Sequence, residues 1–237
     1  MFGALFQNIS DKDKNTAIES IVSHAVPRAD FFLMMTLAIA MASFGVILQS
    51  IVIVIGSMLI APMLYPLLSL SLGIITADEG LMARSFKTIG KSLGLTLGAG
   101  FFIGFLFGPA GATPHMGVMV SGVSPLVFAL VAAIAGFAAA FATTKTHLNE
   151  TFPGVAIAVS LVPPLAVAGI AIAYFDWTMF SNALLLFLIN VIGILFSAMI
   201  VFALMGFARK KTVAQEAVKE GDKVIATEQV KAKTETA

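Results

Sequence analysis

The sequence predicts an all-α membrane protein: six transmembrane helices arranged as a 3+3 inverted repeat, with helices 2 and 5 broken by proline at the midplane. Three observations predict it. The chain of 237 residues is 59% hydrophobic, with a mean hydropathy of +0.99, whereas soluble domains are about 45–50% apolar. Six apolar runs each approach the roughly 20 residues that a helix needs to cross a bilayer. Two of those runs carry paired prolines near their middles, Pro62 with Pro66 and Pro163 with Pro164.

Residues 1–30 come before the first span. They carry mixed charge, Asp11, Lys12, Asp13, Lys14, Glu19, Arg28 and Asp30. No small-residue cleavage pattern follows a short apolar core, so the span starting near Phe31 is expected to act as an uncleaved anchor. Phe2, Leu5, Phe6 and Ile9 follow helical spacing, as do Ile18, Ile21, Val22 and Ala25. This amphipathic segment either lies in the membrane interface or packs on the inner side of the bundle.

The expected spans are about 31–48, 51–75, 88–108, 124–143, 152–175 and 181–208. They make a transmembrane domain over 31–208, with repeat 1 at about 31–108 and repeat 2 at about 124–208. Residues 209–237 are rich in Lys, Glu, Ala and Thr and lack aromatics, so a charged, disordered cytoplasmic tail is expected.

Charge gives the orientation. With six spans, both termini share one side, and all 14 Lys and Arg residues fall on that side. The positive-inside rule makes it the cytoplasm, which places the chain in the inner (plasma) membrane. The outer side receives Gln49-Ser50, the loop 109–123 without Lys, Arg, Asp or Glu, and Asp176-Trp177. Trp177 suits an interface anchor.

The two proline runs also suggest a duplication. Residues 56–63 set over 158–165 share one Leu and one Pro. Each proline pair falls in the second span of a three-span unit. Three spans per unit is odd, so the second unit runs inverted relative to the first. The competing explanation is that Pro and Gly are simply frequent in membrane helices.

The runs VIGSMLIAPMLYPLLSLSLGI (54–74), PGVAIAVSLVPPLAVAGIAIA (153–173) and ALLLFLINVIGILFSAMIVF (183–202) resemble the bacterial and archaeal family filed as domain of unknown function 389. The resemblance covers roughly residues 30–208. It implies a multi-pass membrane protein and no particular activity. It also implies an Arg-Thr-x-Pro start to span 4 with an Asp a few residues further on. Here the matching stretch is Gly122-Val123-Ser124-Pro125, and Leu126 to Leu130 contain no acid.

The chemistry that the sequence offers is mostly backbone. Within regular helices, Pro62 withholds a donor from the carbonyl of Met58, and Pro66 from that of Pro62. Pro163 and Pro164 do the same for Val159 and Ser160. Freed carbonyls at the midplane can coordinate a cation or bind a polar solute. The alternative is a plain kink whose carbonyls are rescued by neighbours. The candidate solute- or ion-contacting residues are therefore Ser57, Met58, Pro62, Tyr65, Pro66, Val159, Ser160, Pro163, Pro164 and Asn190. The Asn190 amide either holds helices together or binds solute. Ser43, Ser69 and Thr96 are further polar groups within the spans.

Other classes are disfavoured. No Asp, Glu, Lys, Arg or His lies deep in a span, so proton coupling through a titratable group is not expected. Lys91 snorkels to the cytoplasmic edge, and Asn149-Glu150 cap span 5. Cysteine is absent, and His115 is expected outside while His24 and His147 are inside, so no metal site is expected. No H-E-x-x-H or G-x-S-x-G is present, and GFLFGPAG (104–111) lacks the Lys-Ser/Thr of a phosphate loop. The chain is not expected to be an enzyme or to hold a cofactor. A net charge of +1 gives no pull toward nucleic acid. The expected function is transport of a small solute or ion through the midplane site. An oligomeric ion channel and a non-transporting scaffold or assembly subunit are the alternatives. The expected partners are the bilayer and further copies of the chain, as a dimer or trimer. Small-residue faces such as Ala132, Ala133, Gly136, Ala139 and Ala140 would hold the copies together.

Overall fold

A computed structural model describes residues 10–108, 125–145 and 161–235. Among them every regular element is a helix. Helix α1, Asp11–His24, is started by Ser10, whose hydroxyl accepts the Asp13 N–H at 3.1 Å. Asp11 and Asp13 in its first turn oppose the positive end of the helix dipole. Its apolar stripe, Ala17, Ile18, Ile21 and Val22, is buried. α1 therefore packs on the bundle. Phe2 to Ile9 lie outside the described residues.

Helix α2, Ala29–Ile47, turns back into α3, Ile51–Ile60. The two run antiparallel, with Gly45 against Val54 and Gly56 against Met41. Helix α4, Leu64–Thr76, follows after a bend of 50°. Helix α5, Glu79–Phe107, is one unbroken rod of 29 residues, about 43 Å long at 1.5 Å per residue. Helix α6 spans Pro125–Thr143, α7 Val162–Ala173 and α8 Trp177–Leu204. A single 3-10 turn, Phe207–Arg209, leads into α9, Lys211–Glu235.

α2, α5, α6 and α8 are long and apolar enough to cross a membrane, and α3 with α4 passes the same test only as a bent pair. Among the described residues the chain is thus all-helical, with four or five such spans. The expected fifth span, 152–175, is described only from Leu161 onward. There α7 has 12 residues, about 18 Å, too short to cross alone; 152–160 lie outside the described residues. The third span starts at Glu79 rather than near 88. Asp78 caps it, and Leu81, Ser85 and Thr88 continue its buried face through the charged first turns.

The tail also differs from expectation. Residues 211–235 form a helix, not a disordered segment. Ala214, Ala217 and Gly221 make a small-residue seam that lets α9 lie close to α1 and α5. Three ion pairs fasten it: Lys210 to Asp11 at 2.9 Å, Asp222 to Arg84 at 3.3 Å, and Glu228 to Arg28 at 3.7 Å. Arg84 Nη1 also donates to the Val218 carbonyl at 3.0 Å. Composition gave no hint of this, because small residues and charges at specific spacing do the holding.

Two turns share one geometry. Ala77 adopts φ 51° and Phe175 φ 55°. The following aspartates, Asp78 and Asp176, send their N–H groups back to Gly73 and Ala171 at 2.9 and 3.0 Å. Each then caps the next helix, Asp78 Oδ1 accepting Leu81 N–H and Asp176 Oδ1 accepting Met179 N–H, both at 2.9 Å. The turns stand at opposite ends of the bundle. Asp78 begins α5, whereas the far end of α5 meets α7 just before Asp176, with Gly104 against Ile170 and Ala173.

α4 and α7 occupy the interior. Nine of the residues in α4, and every residue from Val162 to Ala171 in α7, are buried. α7 lies against α5 so closely that Gly100 and Gly169 approach backbone to backbone; a Cβ on Gly169 would come within 2.8 Å of the Gly100 Cα. α8 runs parallel to α6, with Gly136 against Ile194 and Gly193 against Ala132. Apolar side chains such as Leu33, Phe102, Ile134 and Phe196 remain exposed along the four long helices, as lipid-facing surfaces require.

Candidate functional site

The α3–α4 gap follows from local sterics. A residue before proline is driven out of the helical region, and Ala61, before Pro62, is extended at φ −73°, ψ 121°. α3 therefore ends at Ile60. Its last carbonyls, Met58 among them, point past the end of the helix with no intrahelical donor. α4 then begins at Leu64 without a side-chain cap. Carbonyl ends and N–H ends of two short helices thus face one gap.

The remaining prolines stand at helix starts. Pro66 is the third residue of α4, and Pro163 and Pro164 stand in the first turn of α7. First-turn N–H groups have no intrahelical acceptor in any case, so these prolines suit helix starts. Among the described residues, the freed carbonyls expected from sequence are those at the end of α3, beside the gap. Val159 and Ser160 lie outside the described residues.

The other candidates separate. Ser57 is fully buried, but its hydroxyl donates to the Val54 carbonyl at 2.6 Å within its own helix. Tyr65 is half-buried and stacks on His24, ring centroids 4.6 Å apart. Asn190 is 6% exposed on the inner face of α8. α7 packs on α2, α5 and α8 and touches α3. The helix opened by Pro163 and Pro164 therefore meets the one carrying Ser57 and Met58.

Helix register adds a residue that sequence reading passed over. Ser69 on α4 is hydrogen-bonded to Ser85 on α5 at 2.8 Å, and Gly100 on α5 meets Gly169 on α7. Two turns onward from Ser85, and two turns back from Gly100, lies Ser92. The same steps along the partner helices reach Pro62 and the start of α7. Ser92 is thus level with both helix starts. It is fully buried, and its Oγ has no hydrogen-bond partner among the described residues. Its neighbours on the same face are satisfied internally: Thr88 donates to the Arg84 carbonyl and Thr96 to the Leu93 carbonyl. Ser92 follows Lys91 and so read as the edge of a span. Its helical phase with Ser85 and Thr96 was the available signal.

Beside the gap lies a cavity of about 250 Å³, lined by Ile60 and Pro62 from its rim and by His24, Arg28, Asp30, Phe31 and Met34. The Arg28 Nε is buried and has no hydrogen-bond partner among the described residues. Sequence reading placed these charges only as flanks of the first span. Their assembly depends on the Ala25–Arg28 connection, which brings the end of α1 and the start of α2 onto the α3–α4 gap.

Comparison with known proteins bears on the same region. The sequence model of the family described as "Domain of unknown function (DUF389)" matches residues 58–196, a segment holding the proline gap, Ser92 and Asn190. An uncharacterized protein of the archaeon Methanocaldococcus jannaschii is 33% identical over 177 residues, which is 74% of this chain and 54% of the relative. The chain thus spans about half the length of that relative. No solved structure matches. With more than half of its residues matched, from the end of α3 to the middle of α8, the chain belongs to the DUF389 family.

Proposed function

We propose that the protein moves a small solute or ion across the inner membrane, through a centre made where α3 ends and α4 and α7 begin. The observation that carries this reading is Ser92. A buried hydroxyl without a partner is unfavourable by about 1–3 kcal/mol, and this one stands level with two helix starts that have no side-chain cap. Such unpaired polarity suits a passing polar ligand better than a sealed helix contact.

An inverted repeat fits the same centre. Anchored on the two capping aspartates, the internal register sets Pro66 with Pro164 and Ser92 with Asn190. It replaces the register of 56–63 over 158–165, which paired Pro62 with Pro164. The aspartates stand at opposite ends of α5, as inversion requires, and this supports the 3+3 reading. The sidedness of charge supports cytoplasmic termini. Lys210 pairs with Asp11, Lys14 lies near Gly206, and Lys145 follows the end of α6 that runs alongside the end of α8. Single cysteines introduced into this cysteine-free chain would report the topology; labelling of position 145 from outside would reverse it.

The experiment for the function is reconstitution. Cations and small neutral solutes are screened for a thermal shift, and the ones that bind are followed for flux in proteoliposomes. Ser92→Ala and Asn190→Leu should each reduce flux by more than about tenfold while leaving folded yield intact. If no solute binds, and both variants match the parent in every assay, the scaffold reading replaces transport.

A further inference from the structure

We propose that the cavity beside the proline gap binds a phosphate oxyanion, held by the Arg28 guanidinium. The cavity gathers one fixed cation, Arg28, with His24 and the first turn of α2, and closes on apolar walls from Phe31, Met34, Ile60 and Pro62. α2 has no side-chain cap, so its terminal N–H groups add positive potential on the side where Arg28 stands. The Arg28 Nε is buried and unpartnered among the described residues. Burying a guanidinium nitrogen without an acceptor is unfavourable, and two oxygens of a phosphate group match the guanidinium fork in a bidentate pair.

The two acids nearby leave that place open. Asp30 lines the cavity, but its Oδ1 is occupied by the Phe31 N–H at 2.9 Å. Glu228 from α9 approaches Arg28 Nε to 3.7 Å, beyond hydrogen-bond distance, with both side chains partly exposed. Glu228 acts as a loosely held internal substitute, and a phosphate that enters displaces it. His24 Nδ1 is 2.7 Å from the Ser20 carbonyl. A carbonyl only accepts, so Nδ1 carries a proton and Nε2 remains for other contacts. The apolar walls, with Met34 and Ile60 partly exposed at the membrane side, fit a lipid phosphate, and the volume fits a free one. The binding is independent of any transport and is read without flux.

The test uses the full chain in phosphatidylcholine nanodiscs. Inorganic phosphate and dioctanoyl phosphatidic acid are titrated separately, and binding is followed by thermal shift and native mass spectrometry. Stabilisation by phosphatidic acid alone assigns a lipid headgroup; stabilisation by both assigns free phosphate. Arg28→Gln should weaken binding by more than about tenfold, as loss of a charge-assisted contact predicts. Glu228→Gln removes the same ion pair from the other side and should tighten binding by about two- to fivefold, the range for releasing a partly exposed pair. A purely structural Arg28 would make both variants lose binding alike. Absence of a shift with either ligand, or a Glu228→Gln variant that binds more weakly than the parent, overturns the proposal.

Discussion

Ser92 and Asn190 hold the same place on two helices: each is the fourteenth residue after the aspartate that caps its helix, and each is buried. Asp78 and Asp176 cap with the same oxygen at the same distance, so the count starts from matching geometry. α5 and α8 therefore carry a buried polar side chain at the same distance from their caps, Ser92 beside Thr88 and Thr96 on α5 and Asn190 with Ser197 on α8.

Ser92→Ala separates stability from function. Removing a buried hydroxyl without a partner is neutral or stabilising, by up to about 1–3 kcal/mol. The melting temperature should stay or rise while flux falls. A lower melting temperature would mean that the hydroxyl has a structural partner.

Gly169→Ala tests the α5–α7 contact. The added methyl would sit 2.8 Å from the Gly100 Cα and 2.9 Å from the Leu97 carbonyl oxygen, and backbone on both sides leaves little room to yield. Overpacking of this kind costs about 1–3 kcal/mol, read as a drop in the thermal midpoint. Gly94→Ala is the control, since nothing lies within 4 Å of its Cβ position, and it should be neutral or slightly stabilising.

Ala77→Gly should stabilise. Ala77 holds a left-handed backbone at φ 51°, a conformation that disfavours a Cβ by about 1–2 kcal/mol, and the greater freedom of an unfolded glycine offsets part of the gain. The net expectation is about 0.5–1 kcal/mol, seen as a raised midpoint. Phe175→Gly at the matching turn should act in the same direction.

Docking of α9 should weaken in acid. The Asp11 carboxyl is held below its ordinary value of 3.8, first by its hydrogen bond to Lys210 and then by the Lys210 charge. A depressed acid contributes above its unfolded value, and the contribution disappears as pH falls through the lowered folded value. The pair is exposed, so the effect is small. Spin labels at positions 19 and 219 should report a broader distance distribution below pH 3.8 than at pH 6. Lys210→Ala should flatten that dependence.

Much of the fold was legible because hydropathy reports lipid contact directly. α2, α6 and α8 fall within a few residues of the expected spans. Hydropathy is blind where a helix leaves the apolar zone, so α5 was started about nine residues late: Glu79, Arg84 and Lys87 lower the average while Leu81 and Ser85 keep the helical face. It is equally blind to α9, whose attachment lies in the spacing of Ala214, Ala217 and Gly221 and in three ion pairs. The candidate site was legible in part. Pro62 did mark a gap, because its steric effect on Ala61 is local. Pro66, Pro163 and Pro164 stand in first turns, a placement hard to read from sequence because helix-starting and helix-breaking prolines look alike in an apolar run. Arg28 and His24 reach the gap only through tertiary folding, which no local pattern encodes.

The pairing of α1 with α9 has a consequence for the order in which the chain is made. Residue 211 is synthesised nearly two hundred residues after the end of α1, about 10–40 s later at ordinary elongation rates. Through that interval Asp11 and Arg28 lack their partners, and the cavity beside Pro62 stands without Glu228. The newly made protein therefore holds Arg28 without its tail partner until α9 docks.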